Sequence, residues 1–436
     1  MKKFRTKDDG AGIFIEIFKN PALSLFEKFG GFQKTEDCKM KKYKKIGSTF
    51  FCLAIVAGIV FLWFLNRKLS FTRDWIYCYI GVTEGDIDES GKERVPGVWR
   101  VHKKTGKQEL IYEEEFYSSI LETEDKIYVQ IPLQGIYQME PDGNNKTLIY
   151  EGMVNANSLQ QEDDWLYFSL MTDSRIPIEE QKNYWRFHMK TGELESFLPY
   201  ERTETLVMFS SFVVAGKYFY TIAEKDGKRG ILSYRLDSGE KQFCEKLNME
   251  EVGGIGIKSL MLEECGDYLV LLYLDYLGAG NTASMYATKK GEAISEETEW
   301  KEIRFPDMLE RTASPPTPLP RTGASYPMID TNTNNSYTGY AFRDGFVYYL
   351  NTDWKLCSRP LFGEPGEVTV YEETTLPVDE ENRFWDMSCS LSFGKDCFYY
   401  RYYTEIIPDS AVNHAGYHPC PAAWGGYIGK LPEKKK

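Results

Sequence analysis

The chain has 436 residues, 15% of them aromatic, with 30 Tyr and 26 Phe, and a formal net charge of −13. The charge is split: residues 1–68 carry 14 Lys and Arg against 6 Asp and Glu, and the rest carries 38 against 59. An acidic body excludes nucleic acid as the partner, because phosphate binding needs a basic surface. The aromatic content favours an all-β core, since flat apolar rings suit sheet-on-sheet packing.

Residues 1–45 read as a basic cytoplasmic tail. The run from Leu23 to Phe29 places Leu25, Phe26 and Phe29 on one face of a short amphipathic helix. Anionic lipid, a partner helix and a partly ordered tail all remain open for it. Residues 46–66 carry no charge and read as a transmembrane helix anchored by Phe50, Leu53, Ile55, Val56, Ile59, Val60, Leu62, Trp63 and Phe64. About 20 residues at roughly 1.5 Å each cross the roughly 30 Å hydrocarbon layer. Lys39, Lys41, Lys42, Lys44 and Lys45 crowd the N-terminal flank, whereas only Arg67, Lys68 and Arg73 follow closely. Positive charge stays inside, so the expectation is a single-pass protein of the cell membrane, N-terminus cytoplasmic and residues 67–431 outside. A cleaved signal peptide fits poorly, because the apolar run is long and no small-residue cleavage site follows it.

From residue 74 a phrase recurs: Asp74-Trp75-Ile76-Tyr77, Asp125-Lys126-Ile127-Tyr128, Asp164-Trp165-Leu166-Tyr167, Gly216-Lys217-Tyr218-Phe219-Tyr220, Asp267-Tyr268-Leu269, Asp344-Gly345-Phe346-Val347-Tyr348 and Asp396-Cys397-Phe398-Tyr399. Each is a polar turn that runs into an aromatic, β-prone stretch, and a phrase of fixed period marks a repeat architecture. Hairpin turns follow at Lys104-Thr105-Gly106, Pro141-Asp142-Gly143, Lys190-Thr191-Gly192, Asp237-Ser238-Gly239 and Lys289-Lys290-Gly291, where Gly supplies the positive φ of a tight turn. A strand also precedes each phrase, as at 206–214 and 259–264. Four strands in about 50 residues, repeated about seven times (six to eight), predict a β-propeller over residues 67–431. Unit one has little room for an innermost strand, and unit seven lacks an outermost one. The seven cysteines beyond the apolar run show no paired spacing; Cys78 and Cys397 fall in strands as apolar filler.

These strand openings and hairpins resemble those of bacterial membrane-anchored propellers related to the YWTD propellers of low-density-lipoprotein receptors and to TolB-like propellers. The resemblance implies the fold and a binding role.

Strand alternation puts the second-to-third loops and the links between units on one face. The longest irregular stretches, 81–97, 172–182, 305–336 and 405–425, all fall in those slots, and long loops gathered on a rigid ring are the usual place for recognition. Residues 305–336 are a Pro/Thr/Asn-rich insertion with Pro315-Pro316-Thr317-Pro318 at its centre. Candidate ligand contacts are Asp86, Asp88 and Glu89 in the first of these stretches and Tyr417 and Trp424 in the last. Asp86, Asp88 and Ser90 match the first half of a calcium loop, but Gly97 stands where its closing Glu belongs, so calcium is the one cofactor left open. His414 and His418, with Cys420 beyond, are the other candidate metal ligands. No nucleophile elbow, zinc-protease helix or phosphate loop is present, and the reading leans away from an enzyme. The expected function is a membrane-tethered module that binds a protein, peptide or glycan through the long-loop face. The alternatives are a sensor that signals through the 45-residue tail and a propeller enzyme acting on glycans.

Overall fold

In the computed structural model the described residues are 74–81, 94–115, 119–123, 125–155, 158–171, 182–198, 204–206, 212–226, 228–245, 258–275, 283–305, 328–331, 340–351, 353–363, 367–374, 383–407 and 420–433. The chain divides into two units, residues 1–67 and 68–436, and all described residues belong to the second. Among them no helix is long and apolar enough to cross a membrane, and the expected apolar span 46–66 lies outside them.

The described residues form seven sheets, the blades of a propeller. Blade 1 holds β1 (Trp75–Ile80), β2 (Gly97–His102) and β3 (Gln108–Glu113). Blade 2 holds β4 (Ser119–Glu122), β5 (Ile127–Ile131), β6 (Gly135–Met139) and β7 (Thr147–Glu151). Blade 3 holds β8 (Gln160–Glu162), β9 (Trp165–Ser169), β10 (Tyr184–His188) and β11 (Leu194–Leu198). In blade 4, β12 (Glu204–Leu206) and β13 (Phe212–Ala215) both pair with β14 (Tyr218–Lys225), followed by β15 (Lys228–Arg235) and β16 (Lys241–Cys244). The one inner strand expected over 206–214 is therefore two pieces on the same edge. Blade 5 holds β17 (Lys258–Cys265), β18 (Tyr268–Asp275), β19 (Ala283–Lys289) and β20 (Lys301–Ile303). Next in the chain comes β21 (Met328–Thr331), then blade 6 with β22 (Tyr340–Arg343), β23 (Phe346–Leu350), β24 (Leu356–Pro360) and β25 (Thr369–Val370). Blade 7 holds β26 (Arg383–Phe393), β27 (Cys397–Ile407) and β28 (Cys420–Lys430), with β21 added on its inner edge. The insertion expected to protrude over 305–336 thus contributes a strand to a blade that is not its neighbour in the chain.

Each recurring phrase opens the second strand of a blade, and alternation along it decides what packs where. In β1, Ile76, Cys78 and Ile80 face blade 7 and Tyr77 faces blade 2; in β5, Ile127, Val129 and Ile131 face blade 1 and Tyr128 faces blade 3. The closing tyrosine of the phrase always points to the following blade: Tyr77, Tyr128, Tyr167, Tyr220, Tyr348 and Tyr399 do so in turn. Two of these hydroxyls find a carbonyl acceptor there. Tyr77 donates to the Pro141 carbonyl at 2.9 Å, and Tyr220 donates to the Glu292 carbonyl at 2.8 Å. Both acceptors lie in the hairpin turn of the next blade.

Seven apolar clusters result, one for each pair of neighbouring blades, and the seventh joins blade 7 to blade 1 through Ile76, Cys78, Trp99, Cys397 and Tyr399. The ring therefore closes face to face. At that seam Lys103 donates to Asp396 at 2.7 Å and Gln108 Nε2 donates to the Tyr399 hydroxyl at 3.2 Å. The hairpin glycines take the expected conformation; Gly106 has φ +70° and Gly192 φ +76°. Cys78, Cys244, Cys265, Cys357, Cys389 and Cys397 are buried free thiols, and burial pushes Cys78 and Cys397 up to about 12, which keeps them protonated and inert.

Candidate functional site

Antiparallel order gives the ring two unlike ends. At one, first-to-second and third-to-fourth strands join through tight turns. At the other, the long connections leave and re-enter the described strands. Blade 7 is exceptional at this second end. Its three strands have 11 residues each, whereas second strands elsewhere have 5 to 8. At about 3.3 Å per residue, β27 continues roughly 10–20 Å past its counterparts on the long-loop side.

The register of this extension places Tyr403 between Ser388 on β26 and Trp424 on β28, and Arg401 between Ser390 and Gly426. Residues two apart share a face, so Arg401, Tyr403, Ser388 and Trp424 occupy one face of the extended sheet. The reverse face is held by rings laid over glycines. A Cβ at Gly425 would lie 2.6 Å from the Tyr402 ring and one at Gly429 2.2 Å from the tip of Phe398. Only the missing side chain lets β27 and β28 pair there. Deeper in the same sheet Tyr400 is fully buried with its hydroxyl 3.2 Å from Cys389 Sγ, and burial holds its pKa well above the usual phenol range.

A polar knot lies at the same end between blades 2 and 3. Gln130, fully buried, donates to Ser158 Oγ at 3.0 Å and to the Asn155 carbonyl. Asn155 Nδ2 donates to Ser169 Oγ at 2.9 Å and to the Leu170 carbonyl at 3.1 Å. Gln130 Oε1 meets no partner among the described residues. An unpaired buried acceptor costs about 1–3 kcal/mol.

The tight-turn end carries charge. Burial pushes Glu122, at the end of β4, up to about 8; Lys103, Arg343 and Lys395 oppose that rise and Asp396 adds to it. Lys103 holds Asp396 below the ordinary carboxylate range through its hydrogen bond. These charges come from four blades and converge, but among the described residues no three His, Cys, Asp or Glu side chains are grouped to hold a metal ion.

Of the residues singled out from sequence, Asp86, Asp88, Glu89, Ser90, His414, Tyr417 and His418 lie outside the described residues, as do Phe50, Leu53, Ile55, Val56, Ile59, Val60, Leu62, Trp63 and Phe64. Trp424 is described, and its setting corrects the expected loop 405–425: β27 reaches Ile407 and β28 starts at Cys420, so Trp424 is a strand residue. The sequence reading also missed an internal duplication. Trp99-Arg100-x-His102-x-Lys104-Thr105-Gly106-x-x-Glu109 recurs as Trp185-Arg186-x-His188-x-Lys190-Thr191-Gly192-x-x-Glu195. In both copies the guanidinium sits 4.3 Å over an indole, Arg100 on Trp75 and Arg186 on Trp165, and pairs with the glutamate. In both, the histidine Nδ1 accepts a backbone N–H at 3.2 Å, from Thr105 and Thr191. The spacing itself was the available signal.

No protein-family model matches the chain, and no curated protein does. Among solved structures it is similar to TolB from Acinetobacter baumannii, at 10% identity and TM-score 0.38 over 70% of this chain and 65% of that one. It is also similar to a quinonprotein alcohol dehydrogenase-like protein from Bacteroides thetaiotaomicron (9%, 0.40, 77% and 73%) and to the tricorn protease (10%, 0.40, 70% and 30%). The chain thus spans less than two thirds of the TolB chain it matches. At these scores the likeness carries no argument of its own, and the architecture rests on the seven sheets.

Proposed function

We propose that this propeller is the binding module of a membrane-tethered protein, and that it captures a protein, peptide or glycan on the long-loop face beside blade 7. The tether is the apolar run 46–66, with the N-terminus cytoplasmic and the ring outside. One observation carries the reading: the 11-residue strands of blade 7 extend on that side and set Trp424 opposite Tyr403 in register. Aromatic residues on a rigid sheet present large contact area at low entropic cost, which is what binding surfaces select. The rest of the ring supports it by rigidity, since each blade is packed against two others. Calcium at Asp86, Asp88 and Ser90 would be an accessory to the same face.

The test is capture of extracytoplasmic ligand by the purified full chain. Trp424→Ala with Tyr403→Ala is expected to weaken capture at least tenfold, while Lys190→Ala with Asp237→Ala, at the tight-turn end, leaves it unchanged. The reverse pattern would place recognition on the other end and end this reading.

A further inference from the structure

β21 joins the ring out of order. It precedes blade 6 in the chain, yet it pairs with blade 7, parallel to β26, through Met328↔Ser388, Ile329↔Cys389, Asp330↔Ser390 and Thr331↔Leu391. In blades 2 to 6 the first strand has no further strand inside it among the described residues. Among the described strands, only those of blade 7 hold a segment from another part of the chain on their inner edge.

The pairing is slight. It covers four residues of the 11 in β26, it is the one parallel ladder among the described strands, and parallel pairs are somewhat less stable per residue. Residues 383–387 of β26 have no partner on that edge among the described residues. They lie on the long-loop side, above β21, where the blade extends. An open strand edge is a row of backbone donors and acceptors, and the chemistry that matches it along its length is another extended polypeptide.

We infer that the inner edge of β26 is a strand-accepting site for an extended peptide, and that β21 is its intramolecular occupant. The inference rests on the proposed binding role and names its ligand class. A glycan has no matching row of N–H and C=O groups. β21 belongs to the same chain as β26, so it competes as a tethered occupant. A tethered occupant competes at an effective concentration around millimolar, enough to fill the edge when no ligand is present and low enough for a well-matched peptide to replace it. A replacing ligand pairs with Ser388–Leu391, the four residues of β26 that hold β21.

The probe is a fluorescein-labelled peptide spanning Ser325–Asn332, titrated into the full chain by fluorescence anisotropy. Wild type, with the edge occupied, is expected to bind it weakly. The double variant Ile329→Pro and Asp330→Pro removes two of the four backbone donors of β21 and is expected to bind it at least tenfold more tightly. Ile329→Gly with Asp330→Gly weakens the strand without proline and should fall between the two, which keeps the test decisive should the proline variant not fold. The same peptide carrying Ile329→Pro should not bind any of them. Equal affinity for wild type and the glycine variant, or binding to neither, would overturn the inference. That failure with Trp424-dependent capture intact removes only the peptide class, whereas loss of the Trp424 dependence removes the face itself.

Discussion

A methyl group at position 429 would have nowhere to go. The Phe398 ring crosses β28 there, and its tip would lie 2.2 Å from a new Cβ. Phe398 cannot swing aside, because it is fully buried between Tyr348 and Tyr371 in T-shaped contacts with centroids at 5.8 and 4.9 Å. Overpacking of this kind costs about 1–3 kcal/mol, so Gly429→Ala should lower the unfolding free energy by that amount, read as a lower denaturant midpoint at unchanged slope. Glu122 gives a second residue-scale expectation, with a sign opposite to that of most carboxylates. Its pKa in the fold is raised to about 8, so the folded state holds a proton that the unfolded chain releases near pH 4.3. The folded state therefore binds more protons between those two values, and stability falls as pH rises from about 4.3 through about 8. Glu122→Gln should be close to neutral near pH 4 and stabilising at pH 9, by about 1–2 kcal/mol once solvent screening at a half-buried site is allowed for. Thermal melts of the two proteins at both pH values decide it; an equal difference at pH 4 and pH 9 would mean that the carboxyl is not held neutral.

At the scale of elements, much was legible because the sequence repeats its contacts. The tyrosine that ends each phrase packs on the next blade, and the glycine of each hairpin sits at positive φ, so one turn-plus-aromatic signal fixes both a strand and its neighbour. The fifth phrase shows the limit: Val270 stands in the tyrosine position of β18, and the signal there is weaker although the packing is the same. Two elements were illegible for physical reasons. The first half of β28, with Pro421 and Gly425, falls in the stretch 405–425 that reads as a loop, because its strand character comes from the rings of β27 that lie across it. β21 is four residues held by backbone pairing to a distant strand, and backbone pairing leaves no period in a sequence. The duplicated Trp–Arg–Glu groups of blades 1 and 3 yield a prediction at this scale. Lysine cannot both stack on an indole and reach the carboxylate in a planar fork. Arg100→Lys and Arg186→Lys should each cost about 1 kcal/mol, and the two costs should add, since the sites belong to separate blades.

The whole molecule turns on its seam. Blades 2 to 6 are each held on both sides by blades next to them in the chain, but blade 1 meets blade 7 across almost the entire sequence, through one apolar cluster, the Gln108–Tyr399 hydrogen bond and the Lys103–Asp396 pair. No strand from one end of the described chain is woven into the sheet at the other, so loop closure must be repaid by side chains alone. A closed ring shares its faces, and opening one interface exposes apolar surface on two blades at once. The Lys103–Asp396 pair is the pH-dependent part. Asp396 has a lowered pKa in the fold, so its contribution is present above the unfolded aspartate value near 3.9 and is lost as pH falls through the lower folded value. Asp396 is 74% exposed, which limits a double-mutant cycle on Lys103→Ala and Asp396→Ala to about 1 kcal/mol of coupling at pH 7. Removing β28 is the stronger test. A chain ending at Ile407 lacks Ile428, which packs on the seam cluster, and lacks the strand that carries the outer side of β27. If closure stabilises the ring as a unit, amide protection should fall in β1, at residues 76–80 and more than 300 positions away, as well as in blade 7. Hydrogen exchange on the full and shortened chains reads this directly. Protection of 76–80 that stays at its full-length value would show that blade 1 is held by blade 2 alone, and that the ring does not behave as one cooperative body.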